Sequence, residues 1–279
     1  MEKTQSKLSG EFDWKSPETI RASLFGGDNA EAIHEEVSQR YKVNHLVIGA
    51  VNYNKKSGII EGSHPRYIIA LNEVFRANNI PVRTANLRDL GIITETGIID
   101  LRGTYEDPAL VLRSEGNPNQ YLAQHLAKQL RARSIEFSHQ NPALIYLGDL
   151  ELMADDEVGL AFKLRDEAQV INAPQLAQDC RFLTTDKNGV PIADKKGGRE
   201  LYTINSGVSR LVQFGDLGLI SNWNYLEGSG ANGRVVVVSE AGAKNFLAQR
   251  EAELKKTYES QKSELDGRFK TALSILKGN

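Results

Sequence analysis

HLVIGAV, residues 45–51, is a compact apolar run with β-branched Val47, Ile48 and Val51, and it reads as a central strand buried on both faces. The polar stretch NYNKKSGIIEGS follows. PRYIIALNEVFRANN then reads as a helix, with Ser63 near its cap, Pro65 in its first turn and Ile68, Leu71, Val74 and Phe75 turned inward. PVRTANL after it looks like another strand, so strand, helix and strand succeed one another as in the βαβ unit of a parallel sheet.

Working outward, residues 16–41 read as two helices: Ser16 and Pro17 open the first, Asp28 or Asn29 caps the second, and Gly26-Gly27 separates them. On the other side, GIIDLR (97–102) and PALVLRS (108–114) are strand candidates. Asn117 and Pro118 supply a cap and a first-turn proline for the helix PNQYLAQHLAKQLRAR, where Leu122, Leu126 and Leu130 form one apolar face. PALIYLGDLEL (142–152) adds a strand. Residues 1–155 thus read as a layered α/β domain with a partly parallel sheet.

From GLAFKL onward the pattern changes. Short β-prone runs (GLAFKL, AQVI, RFLTT, ELYTI, RLVQF, LGLIS, RVVVVS) alternate with turn residues such as DKNG, KKGG and ANG, which predicts antiparallel sheet over 156–240, as a separate domain or an extension of the first sheet. Residues 241–279 lack proline and predict one long amphipathic helix. Its apolar positions Leu247, Leu254, Tyr258, Leu265, Phe269 and Leu276 follow an eleven-residue repeat, with Gly267 as the weak point. The fold class expected is therefore mixed α/β (α+β), ending in a long helix.

Composition narrows the function classes. The 279 residues carry 34 Lys and Arg against 36 Asp and Glu, a formal charge of -2 that offers no global positive field to nucleic acid. A single cysteine, Cys180, excludes an intramolecular disulfide framework and multi-cysteine metal sites, and fits a reducing, cytoplasmic setting. No run approaches the ~18 apolar residues of a membrane span, and the N-terminus lacks the apolar core of a secretion signal.

GSGANG (228–233) satisfies G-x-G-x-x-G, but a strand follows it where the dinucleotide motif needs a helix, so Asn232-Gly233 reads as a hairpin turn. Two strand-loop-helix junctions are better site candidates, since helix N-termini present free N–H groups to anions. At the first, Lys55, Lys56, Ser63, His64 and Arg66 add donors and charge; at the second, Arg113, Ser114, Asn117 and Asn119 do. Asp100 and Asp149 each end an apolar run, where Glu106, Asp107 and Glu151 could join them around a divalent metal. His64 is the proton donor or anion ligand among five scattered histidines. Trp223 and Tyr225, with Phe214 nearby, read either as core aromatics of a small sheet, the commoner role, or as an aromatic surface for a base or sugar, a reading that Arg210 and Arg234 sharpen only if they share a face with the aromatics.

The expectation is a protein that binds a small anionic or phosphate-bearing ligand near His64, Asn117, Asp100 and Asp149, with metal-assisted hydrolysis as the reaction such a site would admit. The alternative is a non-enzymatic interaction protein whose residues 243–277 self-associate or dock on a partner, because an amphipathic helix must bury its stripe.

Overall fold

The computed structural model describes residues 20–41, 44–215, 217–239 and 262. The expected C-terminal helix with its docking stripe lies outside the described residues apart from Lys262, as do Ser16 and Pro17. The described residues from Ile20 to Ser239 belong to one compact unit.

In chain order, β1 (Ala22–Leu24) leads to α1 (Asp28–Arg40) and the short α2 (Asn44–Ile48). The hairpin β2 (Asn52–Asn54) and β3 (Ile59–Glu61) precedes α3 (Pro65–Ala77), β4 (Val82–Thr84), α4 (Leu87–Thr96), β5 (Glu106–Leu112), α5 (Gln120–Ala132) and β6 (Ala143–Tyr146). The remainder is strand: β7 (Leu150–Asp155), β8 (Gly159–Leu164), β9 (Val170–Asn172), β10 (Cys180–Thr185), β11 (Pro191–Ala193), β12 (Arg199–Thr203), β13 (Val208–Phe214), β14 (Gly218–Trp223) and β15 (Val236–Ser239). The result is a mixed α+β fold built on a large mixed sheet, ordered β11-β10-β12-β14-β13-β5-β6-β9, beside a three-stranded sheet β1-β15-β4 and the hairpins β2-β3 and β7-β8.

Residues 45–51 are not a central strand. The run forms α2 and the turn after it, in which Val47 and Val51, four residues apart, are buried while His45, Gly49 and Ala50 are exposed. An apolar run of this length suits a short helix as well as a strand, and one buried residue per turn is what α2 needs. Without that strand the βαβ unit disappears. The β-pairings of β2 to β6 are antiparallel, and the parallel pair is β12 with β14, in the half expected to be antiparallel throughout.

Other expectations change as well. The described end of the expected first helix is a strand, β1, paired antiparallel with β15, and the N-cap of α1 is Gly27 rather than Asp28 or Asn29. Residues 97–102 are not a strand: Gly97, at φ 64, closes α4, whose start carries a capping box between Asn86 and Asp89. PALIYLGDLEL is not one strand but β6, a 3₁₀ turn over Leu147–Asp149, and β7.

The centre of the large sheet is β5, buried along its whole length between β13 and β6. Its side chains alternate between two cores. Leu110 and Leu112 join the larger one, with Leu71 and Phe75 of α3 and Leu122, Leu126 and Leu130 of α5. Ala109 and Val111 face the other, with Leu144, Phe182, Leu201, Leu211 and Leu219. That period of two fixes where the residues beyond the strand point: Arg113 continues the face of Ala109 and Val111, and Ser114 the opposite one.

Candidate functional site

At the carboxyl end of β5 lies a cleft of about 860 Å³, lined by Ser114, Glu115 and Arg131, by the segment Ser134–His139, and by Asn205 and Ser206, with Arg113 at its floor. The cleft is open to solvent and lies beyond the carboxyl end of the strand, where ligands of open α/β sheets gather. Ser114 organises its rim. The hydroxyl accepts from Gly207 N (3.0 Å) and Gly116 N (3.2 Å) and shares a proton with Ser206 Oγ at 2.8 Å. Arg131 pairs across the opening with Glu115.

Arg113 is fully buried and does not present its charge to the cleft. Its guanidinium donates to Ser209 Oγ (3.0 Å), Ser221 Oγ (2.8 Å), Leu176 O (3.1 Å) and the Thr203 hydroxyl, on the face that the β5 alternation assigns to it. Nε has no partner, and among the described residues no carboxylate pairs with the group. Burial without a counter-ion pulls its pKa down to about 10.

Asn117 is exposed and does not cap α5. Asn119 takes that place at φ 58, after a cis Asn117–Pro118 bond. The segment is pinned to the start of β13 instead: Val208 N donates to Pro118 O (3.1 Å), and Asn119 Nδ2 donates to Val208 O and Asn224 O (2.9 Å each). Those bonds hold 117–119 against the sheet and delay the helix to Gln120.

The first junction is a buried polar centre rather than an open site. His64, not Ser63, is the N-cap of α3, its Nδ1 accepting from Tyr67 N at 3.4 Å. Arg66 is buried on Leu160 O and pairs with Glu227, whose side chain is 47% exposed. Lys55 and Lys56 sit apart, on the exposed β2-β3 turn. Burial first, then the charges of Arg210 and Arg66, push the His64 pKa down to about 3 against the pull of the Ile48 and Val47 carbonyls, so its ring is neutral.

Arg210 shares the face of Trp223, 5.4 Å above its ring, and lies 5.6 Å from the ring of Tyr105. It forms a fully buried pair with Asp107 (Nε to Oδ1 2.6 Å, Nη2 to Oδ2 2.5 Å) and donates to Ser63 O (3.1 Å) and Gly228 O. This pair was not visible in the sequence as a unit, because 103 positions separate its members. Tyr225, 80% exposed, takes no part in the stack.

The carboxylates do not assemble. Asp100 is exposed and bound to Arg102, whose hydrogen bonds hold its pKa down to about 2. Asp149 is half-buried in the 3₁₀ turn, its pKa raised by burial. Glu106 is buried with Oε2 unpartnered, and burial pushes its pKa up to about 8 despite a hydrogen bond from Thr104. Glu151 pairs with Lys163 and Arg165. Among the described residues no three His, Cys, Asp or Glu side chains are grouped to hold a metal ion, and no helix is long and apolar enough to cross a membrane.

GSGANG is not a phosphate loop. Gly233 N closes a turn on Gly230 O (2.9 Å), but neither Asn232 nor Gly233 takes a positive φ, so the expected hairpin geometry is absent. Gly233 is required by proximity: a Cβ there would sit 2.6 Å from Ser63 N. No protein-family model matches the chain, and comparison with curated proteins and with solved structures finds no match.

Proposed function

We propose that the chain binds a small polar molecule in the cleft at the end of β5, and that the ligand is neutral and hydroxyl-bearing, of the sugar or polyol class. The observation that carries this is the lining. Arg131 is held by Glu115 and the Arg113 guanidinium is turned away, so Ser114, Ser134, Ser138, Ser206 and Asn205 supply most of the polar lining, beside Ile135 and Phe137. Hydroxyl and amide groups around an aromatic ring match a molecule with polar edges and one apolar face. A phosphate-bearing ligand is less well suited, because Glu115 already holds Arg131 and the guanidinium of Arg113 is turned to Ser209 and Ser221.

Titration of the full chain with mono- and disaccharides at millimolar concentration, followed by NMR, tests the reading, with inorganic phosphate as the anionic arm. The expected result is saturable binding of at least one saccharide that Phe137→Ala and Ser206→Ala weaken. Binding of phosphate alone at this cleft, or saccharide shifts that Phe137→Ala leaves unchanged, refutes it.

A further inference from the structure

A second set of groups has ligand-binding chemistry and lies outside the cleft. At the N-terminus of the 13-residue α3, Ser63, His64 and Arg66 are buried; Ser63 Oγ has no hydrogen-bond partner, and His64 Nε2 has no well-formed one, only the Ile48 and Val47 carbonyls acting on the ring. The His64 ring edge is aimed at the junction of α2 with the segment 225–230: a Cβ on Gly49 would lie 3.5 Å from Nε2 and 3.7 Å from Glu227 O. Two buried guanidinium groups, Arg66 and Arg210, act electrostatically on that ring. Arg210 has Asp107 as its counter-ion. Arg66 has Glu227, and among the described residues no second carboxylate pairs with it.

Buried polar atoms without good partners are uncommon, and here they share the N-terminus of a helix with a buried arginine whose charge acts on the His64 ring, an environment favourable to negative charge. Glu227 fills only part of it. Its carboxylate reaches Arg66, yet its side chain remains half exposed and leaves the Ser63 hydroxyl and the His64 ring nitrogen unengaged. The backbone of the segment is held by bonds that do not involve the Glu227 side chain. Ser63 N donates to Ser229 Oγ (3.0 Å), Gly230 N donates to Tyr105 OH (2.7 Å), and Arg210 donates to Gly228 O. The carboxylate can therefore rotate into solvent without the segment lifting.

We propose that the Ser63–His64–Arg66 centre is a binding site for a small oxyanion, a carboxylate or a phosphate, and that the Glu227 side chain is its internal occupant, displaced when the external anion enters. The entering anion takes the Arg66 guanidinium from Glu227 and accepts from Ser63 Oγ and from a neutral His64 protonated at Nε2. That tautomer agrees with Nδ1 accepting from Tyr67 N. The site is independent of the cleft and stands or falls without it.

The test is calorimetric titration of the full chain with inorganic phosphate and, separately, acetate, on the wild type, Glu227→Gln and Glu227→Asp, with the ¹⁵N resonances of the His64 ring recorded at each end point. With the internal carboxylate gone, Glu227→Gln binds at least one of the two anions about tenfold tighter than wild type, the equivalent of roughly one charge-assisted hydrogen bond. Glu227→Asp falls between, and the His64 Nε2 resonance moves on saturation. Ser63→Ala placed in the Glu227→Gln background loses most of that gain. Phosphate binding with acetate silent assigns the site to phosphates, and the reverse assigns it to carboxylates. The control is Glu136→Gln, which removes the same charge from the cleft. Equal gains in Glu136→Gln and Glu227→Gln, equal affinities in wild type and Glu227→Gln, or tighter binding with a still His64 resonance each overturn the proposal. Should Glu227→Gln unfold in anion-free buffer, refolding by phosphate or acetate supports the site, and failure of both to refold it counts against it.

Discussion

Replacing Glu106 by Gln should alter how stability depends on pH. Glu106 lies at the start of β5, 3% exposed, with Oε1 accepting from Thr104 and Oε2 unpartnered, and burial raises its pKa from 4.5 to about 8. In the folded chain the group keeps its proton up to that pH; in the unfolded chain it loses it above 4.5. Between those values the folded state holds more protons, so raising the pH favours unfolding by about 1.4 kcal/mol per pH unit. From pH 5 to 8 the wild type therefore loses about 3 to 4 kcal/mol through this group, less than three full units because the unfolded side chain is not yet fully ionised at pH 5 and the folded one begins to ionise near pH 8. Glutamine has the same shape and no proton to lose. The difference in unfolding free energy, Glu106→Gln minus wild type, should rise by that amount across the interval. Urea unfolding of both proteins at pH 5, 6, 7 and 8 measures it, and subtraction cancels every titration the two share. Curves that run parallel within experimental error would mean that the Glu106 carboxyl is ionised in the fold, and the burial argument would be refuted.

His64 predicts the opposite slope. Its pKa is depressed from 6.5 to about 3, so its contribution is present above pH 6.5 and is lost as the pH falls towards 3, at about 1.4 kcal/mol per unit. His64→Asn keeps an acceptor at the cap of α3 and should flatten the wild-type loss between pH 6.5 and 4.5 in the same urea series; an unchanged slope contradicts the reading. Ser114→Ala leaves the Gly116 and Gly207 amides without their acceptor and should cost about 1 to 3 kcal/mol, whereas Ser206→Ala should cost less than about 1. Thermal unfolding of the two variants, if it ranked them the other way, would show that Ser114 does not hold the rim. Arg113→Lys should destabilise by roughly 2 kcal/mol, because one ammonium cannot reach Ser209, Ser221 and Leu176 O together; a melting temperature equal to that of wild type would argue against the network.

The parts of the fold legible in the sequence were those with a local physical signature. Pro65 in the first turn and the inward set Ile68, Leu71, Val74 and Phe75 place α3, and the Leu122, Leu126, Leu130 stripe places α5 against the larger core. β5 and the strands from β8 onward other than β11 follow from short β-prone runs between turn residues. What failed did so where two local rules compete. HLVIGAV satisfies the strand rule by its branched side chains, but the neighbouring elements bury one side of it only. GIIDLR looks like a strand for the same reason, yet Gly97 ends a helix whose opening signal, Asn86 followed by Asp89, stood in the sequence unread. The parallel pairing of β12 with β14 has no local mark, since it depends on β13 crossing to the far side of β14. At the candidate sites, Ser63, His64 and Arg66 are buried around the start of α3 and Ser114 lines the cleft, whereas Asn117 is exposed and does not line it. The partners that decide their roles, Arg210, Asp107 and Glu227, are brought in by the sheet from far along the chain.

The two ends of β5 show why equal burial of charge has unequal consequences. At its start, Asp107 meets Arg210 in a pair 0% and 1% exposed, with the remaining guanidinium protons directed to the carbonyls of Ser63 and Gly228. Such a pair is neutral as a unit, and removing either member would strand the other in a low-dielectric interior. At its end, Arg113 is just as buried but faces only hydroxyls and carbonyls among the described residues, so its charge is solvated by dipoles and not cancelled. Dipoles stabilise a cation less than a carboxylate does, which agrees with a lowered pKa at Arg113. The Arg66 pair stands between these cases. Its counter-ion is present but half in water, and water is what allows a bound carboxylate to be exchanged. Closed pairs such as Asp107–Arg210 fix the strand, whereas the half-open pair at Arg66 is the one on which the proposed anion exchange would act.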